Sequence, residues 1–229
     1  MFYNLFGTIN TLFIFVSLYG VLSQLKTIFE RKQAAQSSGS PTALLSLNQF
    51  SVSFLAYLSF FIYGYSIAPF NHYIVWPRLV ASLLVLGILI EIWRDRKTHL
   101  AFISMSLACV CLLGSILGLL LGDTFSDQGK FISTVIILLV SLLIAQGYAH
   151  QIYVIIRSGS TGAVDLKMSQ FILMMDVSTI AFALSMGLNH GWPLLVLAIT
   201  SGITKLIIMY LFRWVKLSSV AKARRVKTC

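Results

Sequence analysis

Two five-residue stretches decide how this chain is read: Gly147-Tyr148-Ala149-His150-Gln151 and Gly20-Val21-Leu22-Ser23-Gln24. Each is a Gly-x-x-polar-Gln pattern near the end of a long apolar run. Downstream, Ser158-Gly159-Ser160-Thr161-Gly162 answers Ser38-Gly39-Ser40-Pro41-Thr42. Then Leu166-x-Met168-x-Gln170-Phe171 answers Leu45-x-Leu47-x-Gln49-Phe50. Two later runs open alike, with Asn71-His72 before Trp76-Pro77 and with Asn189-His190 before Trp192-Pro193. Any one match is unremarkable in an apolar chain. Their shared order predicts an internal duplication.

The chain around these stretches belongs in a membrane. Of its 229 residues, 58% are hydrophobic and 10% are charged, against about 25% charged in an average soluble domain. Apolar runs fall at 5–29, 44–66, 75–93, 101–121, 131–157, 166–187 and 193–215. Each is near the 20 or so residues needed to cross a hydrocarbon core of about 30 Å. The expected fold is therefore all-α and integral to the membrane, with seven transmembrane helices. The first run has no basic leader and no small-residue cleavage site, so it reads as a span rather than a removed signal.

The loops alternate in charge. Glu30-Arg31-Lys32, Arg94-Asp95-Arg96-Lys97, the segment from Arg157 to Lys167, and a tail with Arg213, Lys216, Lys222, Arg224, Arg225 and Lys227 lie on one side. The loops on the other side carry little or no positive charge. The positive-inside rule places the first set in the cytoplasm and the N-terminus outside. Both repeats then begin outside with three spans each, so an odd helix must reset the orientation between them. The expected divisions are residues 1–93 for the first bundle, 94–130 for the linker helix region, 131–215 for the second bundle and 216–229 for a basic tail. Such parallel repeats place a substrate site near the bilayer midplane.

A net charge of +10 arises at the ends of apolar runs, where it sets topology and meets anionic lipid, so the tail is expected on anionic lipid and no nucleic-acid partner is expected. Cys109, Cys111 and Cys229 form no pairing or zinc pattern, and neither metal nor cofactor is expected. The absence of a glycosylation sequon and of an acidic dileucine signal points to a bacterial inner membrane over a lysosome. No HExxH, no intramembrane acid pair and no nucleophile with its base point to an enzyme.

On these motifs the chain resembles the PQ-loop family, which shares a seven-helix, 3+1+3 plan with SWEET sugar carriers and KDEL receptors. The resemblance covers nearly the whole chain. Gln24 and Gln151 match the family glutamines, whereas Ser23 and His150 replace the prolines. The resemblance implies a secondary transporter working by alternating access, with gating at the first and fifth helices. The proline hinge cannot carry over. Gly20 and Gly147 stand three residues upstream, where they supply either flexibility or close helix packing. The glutamines serve either gating or capping of helix ends.

Two charges inside apolar runs require an explanation: Asp176 in the sixth and Lys205 in the seventh. A charge at a helix centre costs about 2.5–3.5 kcal/mol on insertion scales, so it faces a cavity or a partner. Their matched depths allow an ion pair, either structural or forming a substrate or proton site. Cystine carriers of the PQ-loop family have a proton-accepting acid early in the sixth helix, and Asp176 is the nearest match here. His150 suits a proton relay or a plain hydrogen-bonded place in its helix. Tyr19, Asn48 and Tyr148 are candidate cavity-lining residues. Glu91 is expected to pair with Arg94, and Arg78 to snorkel outward.

The expected activity is transport of a small polar solute, an amino acid in preference to a sugar, with proton coupling. SWEET carriers bind sugar through Asn residues in the third and seventh helices, and neither run here has an internal Asn. The alternatives are a KDEL-receptor-like peptide receptor and, from the lysine in the seventh helix, a retinal protein. Ser201 one turn before Lys205 argues against the latter. The oligomeric state is open.

Overall fold

The computed structural model describes residues 2–34, 42, 45–121, 126–159, 161 and 166–228. These form eight helices: α1 (Phe2–Ala34), α2 (Leu47–Ser66), α3 (His72–Arg96), α4 (His99–Leu121), α5 (Ser126–Ser158), α6 (Leu166–Ser185), α7 (Leu188–Leu217) and α8 (Ser219–Thr228). No strand occurs among the described residues. Of the two compared loop stretches, residues 38–41, 160 and 162 lie outside the described residues.

Five helices among the described residues are long and apolar enough to cross a membrane: α1, α3, α4, α5 and α7. Over Ser169–Ser185, α6 is apolar but shorter. α2 has 20 residues, but Ser51, Ser53 and Ser59 with Tyr57, Tyr63 and Tyr65 lower its hydropathy. Large apolar side chains nonetheless lie exposed on many helices, from Leu107, Val110, Leu113 and Leu117 of α4 to Ile199, Ile203 and Leu206 of α7. Exposed apolar surface on this scale marks contact with a membrane rather than with water.

The chain divides into two compact units, one of Ile14–Val140 and the other of Met1–Phe13 with Ser141–Cys229. The dividing points fall inside α1 and α5, so each of these helices begins in one unit and ends in the other.

In the Ile14–Val140 unit, α2 and α3 form a hairpin and α4 packs on both. Ser46 caps α2 by accepting from the Gln49 N–H, and Asn71 caps α3 by accepting from the Ile74 N–H at 3.2 Å. Such caps satisfy amide donors that a helix start leaves open. Pro77 is the sixth residue of α3. The core joins Phe54, Leu58 and Phe61 of α2 to Val75, Val85 and Leu89 of α3 and to Ala108 and Leu112 of α4. Ser51 and Ser104 hydroxyls bond at 2.6 Å between α2 and α4. α3 ends where Lys97 adopts a left-handed φ of 49° and its N–H returns to the Trp93 carbonyl. Asp95 accepts from the Thr42 N–H at 3.0 Å, and Arg96 donates to the Thr42 and Leu45 carbonyls, fixing the start of α2 to the end of α3.

Glu91 pairs with Arg94 at 3.2 Å as expected, and also accepts from Lys32 of α1 at 2.8 Å. Arg78 corrects an expectation. It is buried, its guanidinium lying 5.6 Å from the Tyr57 ring centre and 5.2 Å from that of Phe60. Cation–π contact with α2 holds the guanidinium where snorkelling would have carried it outward.

In the other unit, α6 and α7 form the corresponding hairpin. Pro193 is again the sixth residue of its helix. Gly187, at a φ of 80°, precedes α7. A Cβ on Gly191 would fall 2.1 Å from the Ala183 carbonyl oxygen, so only glycine permits this approach of α7 to α6. The α2–α3 hairpin has its own close point, since a Cβ on Gly64 would meet Ile74 and Val75 at 2.9 Å.

Candidate functional site

The buried stripe of α7 runs through Leu194, Ala198, Ser201, Lys205 and Ile208, at the three- and four-residue spacing of one helical face. Lys205 is thus placed by periodicity among residues packed inside the protein, and it is 6% exposed. Asp176, on α6, is 4% exposed. It lies ten residues into α6 and Lys205 twelve before the end of α7, depths of about 15 and about 18 Å at 1.5 Å per residue. The hairpin runs antiparallel, so these depths bring the two residues to a similar level.

Gly202 of α7 faces Asp176. A Cβ there would sit 3.8 Å from the Asp176 Cβ, so α7 comes close to α6 one turn before Lys205. Asp176 thus lies one turn of α7 away from the level of Lys205. From α5, Tyr148 presents its ring, with the Lys205 Nζ 4.0 Å from the ring centre. A desolvated cation is therefore held by a ring face of one helix within the field of a carboxylate on another, an arrangement worth about 2 kcal/mol for the ring contact alone.

A second polar group lies just beyond Asp176. Asn10 of α1 is 1% exposed, and its Oδ1 accepts from Thr179 Oγ1 at 2.8 Å and Ser178 Oγ at 3.2 Å. Tyr3 packs on Phe182 with ring centres 5.6 Å apart. The start of α1 is thereby fastened to α6 by one amide and one ring pair. Ser169 and Ser201 add further buried hydroxyls on α6 and α7. Asp176 also borders a groove of about 160 Å³ between α6 and α7, lined by Leu173, Val177, Ile199 and Ile203.

Of the candidates read from sequence, Asp176, Lys205 and Tyr148 come together. His150 and Gln151 follow Tyr148 on α5; Gln151 is half-buried, and the His150 side chain lies outside the described residues. Tyr19, Gly20, Gln24 and Asn48 belong to the other unit. There Tyr19 is 74% exposed, Asn48 exposed and Gln24 half-buried. Among the described residues, a Cβ on Gly20 or Gly147 would meet nothing within 4 Å. Asn10, Ser178 and Thr179 were not singled out from sequence; a buried amide inside an otherwise apolar run was the available signal.

No protein-family model matches the chain, and no curated protein matches it in sequence.

Proposed function

We propose that the protein is a secondary carrier of a small polar solute, most simply an amino acid, driven by protons through alternating access. The observation that carries this reading is the Asp176–Lys205–Tyr148 cluster, two opposite charges buried deep in apolar helices beside an aromatic face. Intramembrane charges are costly and mark solute pathways or proton relays. A zwitterion offers an ammonium group to Asp176 and a carboxylate to Lys205, whereas a sugar offers neither.

In this reading α2 and α6 also cross the membrane. At 20 residues each they reach about 30 Å, the thickness of the hydrocarbon core. The seven spans then follow the 3+1+3 plan of the PQ-loop family, with α4 as the linker. Similar entry into α3 and α7, each with proline at its sixth residue, supports duplication. The Lys/Arg bias favours a cytoplasmic C-terminus in a bacterial inner membrane. A reporter fused after Cys229 gives a cytoplasmic signal if this orientation holds, and an external signal reverses it.

Purified protein in liposomes tests the activity. Accumulation of a labelled amino acid under an inward proton gradient supports the carrier. Saturable binding with no uptake of any amino acid, sugar or peptide would move the assignment to a receptor.

A further inference from the structure

The groove between α6 and α7 is built from one stripe of each helix. Leu173, Asp176, Val177 and Ile180 line it from α6, and Ile199, Gly202, Ile203 and Leu206 line it from α7. Both sets have the i, i+3, i+4, i+7 spacing of a single helical face, so Asp176 stands in an otherwise aliphatic stripe. Val177, Ile199, Ile203 and Leu206 are exposed, and in a membrane helix pair such a surface meets acyl chains. We infer that the groove is a lateral opening from the bilayer to Asp176, which admits a ring-sized apolar molecule and makes Asp176 a site of modification by a hydrophobic carbodiimide. The opening requires α6 to lie in the bilayer beside α7, as proposed above; it does not require transport.

Size and floor suit such a molecule. The groove holds about 160 Å³, close to the cavity of about 150 Å³ that takes up benzene in another protein. Gly202 leaves the floor bare. A Cβ there would make ordinary contacts of 3.8 Å with Asp176 Cβ and Leu173 Cδ1. A side chain at 202 would therefore lie over Asp176 without a clash at its first carbon. Asp176 itself is 4% exposed. The same aliphatic walls that accept an apolar ring hold back a hydrated ion, which would lose its water on entering.

Dicyclohexylcarbodiimide carries two such rings on a carboxyl-reactive N=C=N core. The protonated acid gives its hydrogen to one nitrogen while its oxygen bonds to the central carbon. In the O-acylisourea so formed, the acyl carbon–oxygen bond then breaks and an acyl carbon–nitrogen bond forms. The stable N-acylurea keeps every atom of both reactants. Water would divert the first product to hydrolysis, so a site that excludes water favours the adduct.

The test uses the full chain in liposomes at mildly acidic pH, treated in parallel with dicyclohexylcarbodiimide and with a cationic, water-soluble carbodiimide. Peptide mass spectrometry locates the adducts. The expected pattern is crossed. The apolar reagent modifies Asp176, whereas the water-soluble reagent modifies Glu30, whose side chain is 62% exposed, and spares Asp176. Gly202→Leu should slow the Asp176 adduct by about tenfold or more, the effect of about 1.4 kcal/mol on a barrier. Val177→Ala, which trims the exposed wall, should speed it, and melting curves confirm that each variant is folded. No adduct at Asp176, modification of Asp176 by both reagents, or rates indifferent to both wall substitutions would overturn the opening. Uptake of labelled amino acid by untreated protein decides the carrier reading separately: uptake without an Asp176 adduct leaves the carrier and removes the opening.

Discussion

Lys205 of α7 holds its Nζ 4.0 Å from the centre of the Tyr148 ring of α5. The contact joins two helices through a cation whose burial would otherwise be costly. Tyr148→Phe retains the ring face and Tyr148→Leu removes it. The leucine variant should unfold with about 1–2 kcal/mol less stability than the phenylalanine variant. Chemical denaturation of both in the same detergent measures the difference, and equal stabilities would remove the ring contact as a support for Lys205.

Asn10 tests the fastening of α1 to α6. In Asn10→Ala, the Ser178 and Thr179 hydroxyls lose the amide oxygen but keep the Met175 carbonyl, 2.8 and 2.9 Å away. The expected cost is therefore modest, near the average of about 0.6 kcal/mol for hydrogen bonds between membrane helices and no more than about 1.7 kcal/mol. A double-mutant cycle with Thr179→Val isolates the term. Additive effects would show that the two residues do not interact.

Glycines separate packing from motion. Gly191→Ala should lower the melting temperature sharply, because its methyl would meet the Ala183 carbonyl oxygen. Gly20→Ala and Gly147→Ala meet open space, so the better helix propensity of Ala should raise stability by up to about 1 kcal/mol each. If these two positions supply flexibility for gating, the same variants slow uptake. Higher stability with unchanged uptake would end the hinge role.

The helices were legible because long apolar runs survive any local detail, and all seven predicted runs fall on helices. Their ends were not. Hydropathy began the third run at 75, yet Asn71 caps the helix and starts it at His72. Hydropathy does not register a cap, and it likewise passed over α8, which has charged residues and no apolar run. At the candidate site, Asp176 and Lys205 were legible because charge stands out in an apolar run. Asn10 was not, since one neutral amide barely changes the hydropathy of its helix. Arg78 was placed wrongly because sequence shows its nearness to a helix end but not the Tyr57 and Phe60 rings that hold it inside.

Gradient-driven uptake by Asp176→Asn in proteoliposomes tests the central claim most directly, with a melting curve confirming that the variant is folded. Asparagine resembles the protonated acid in shape and charge and cannot release a proton. The account predicts that native protein accumulates its solute when a pH gradient is imposed, whereas Asp176→Asn still exchanges solute across the membrane but no longer accumulates it. Native-like accumulation by folded Asp176→Asn would contradict the account.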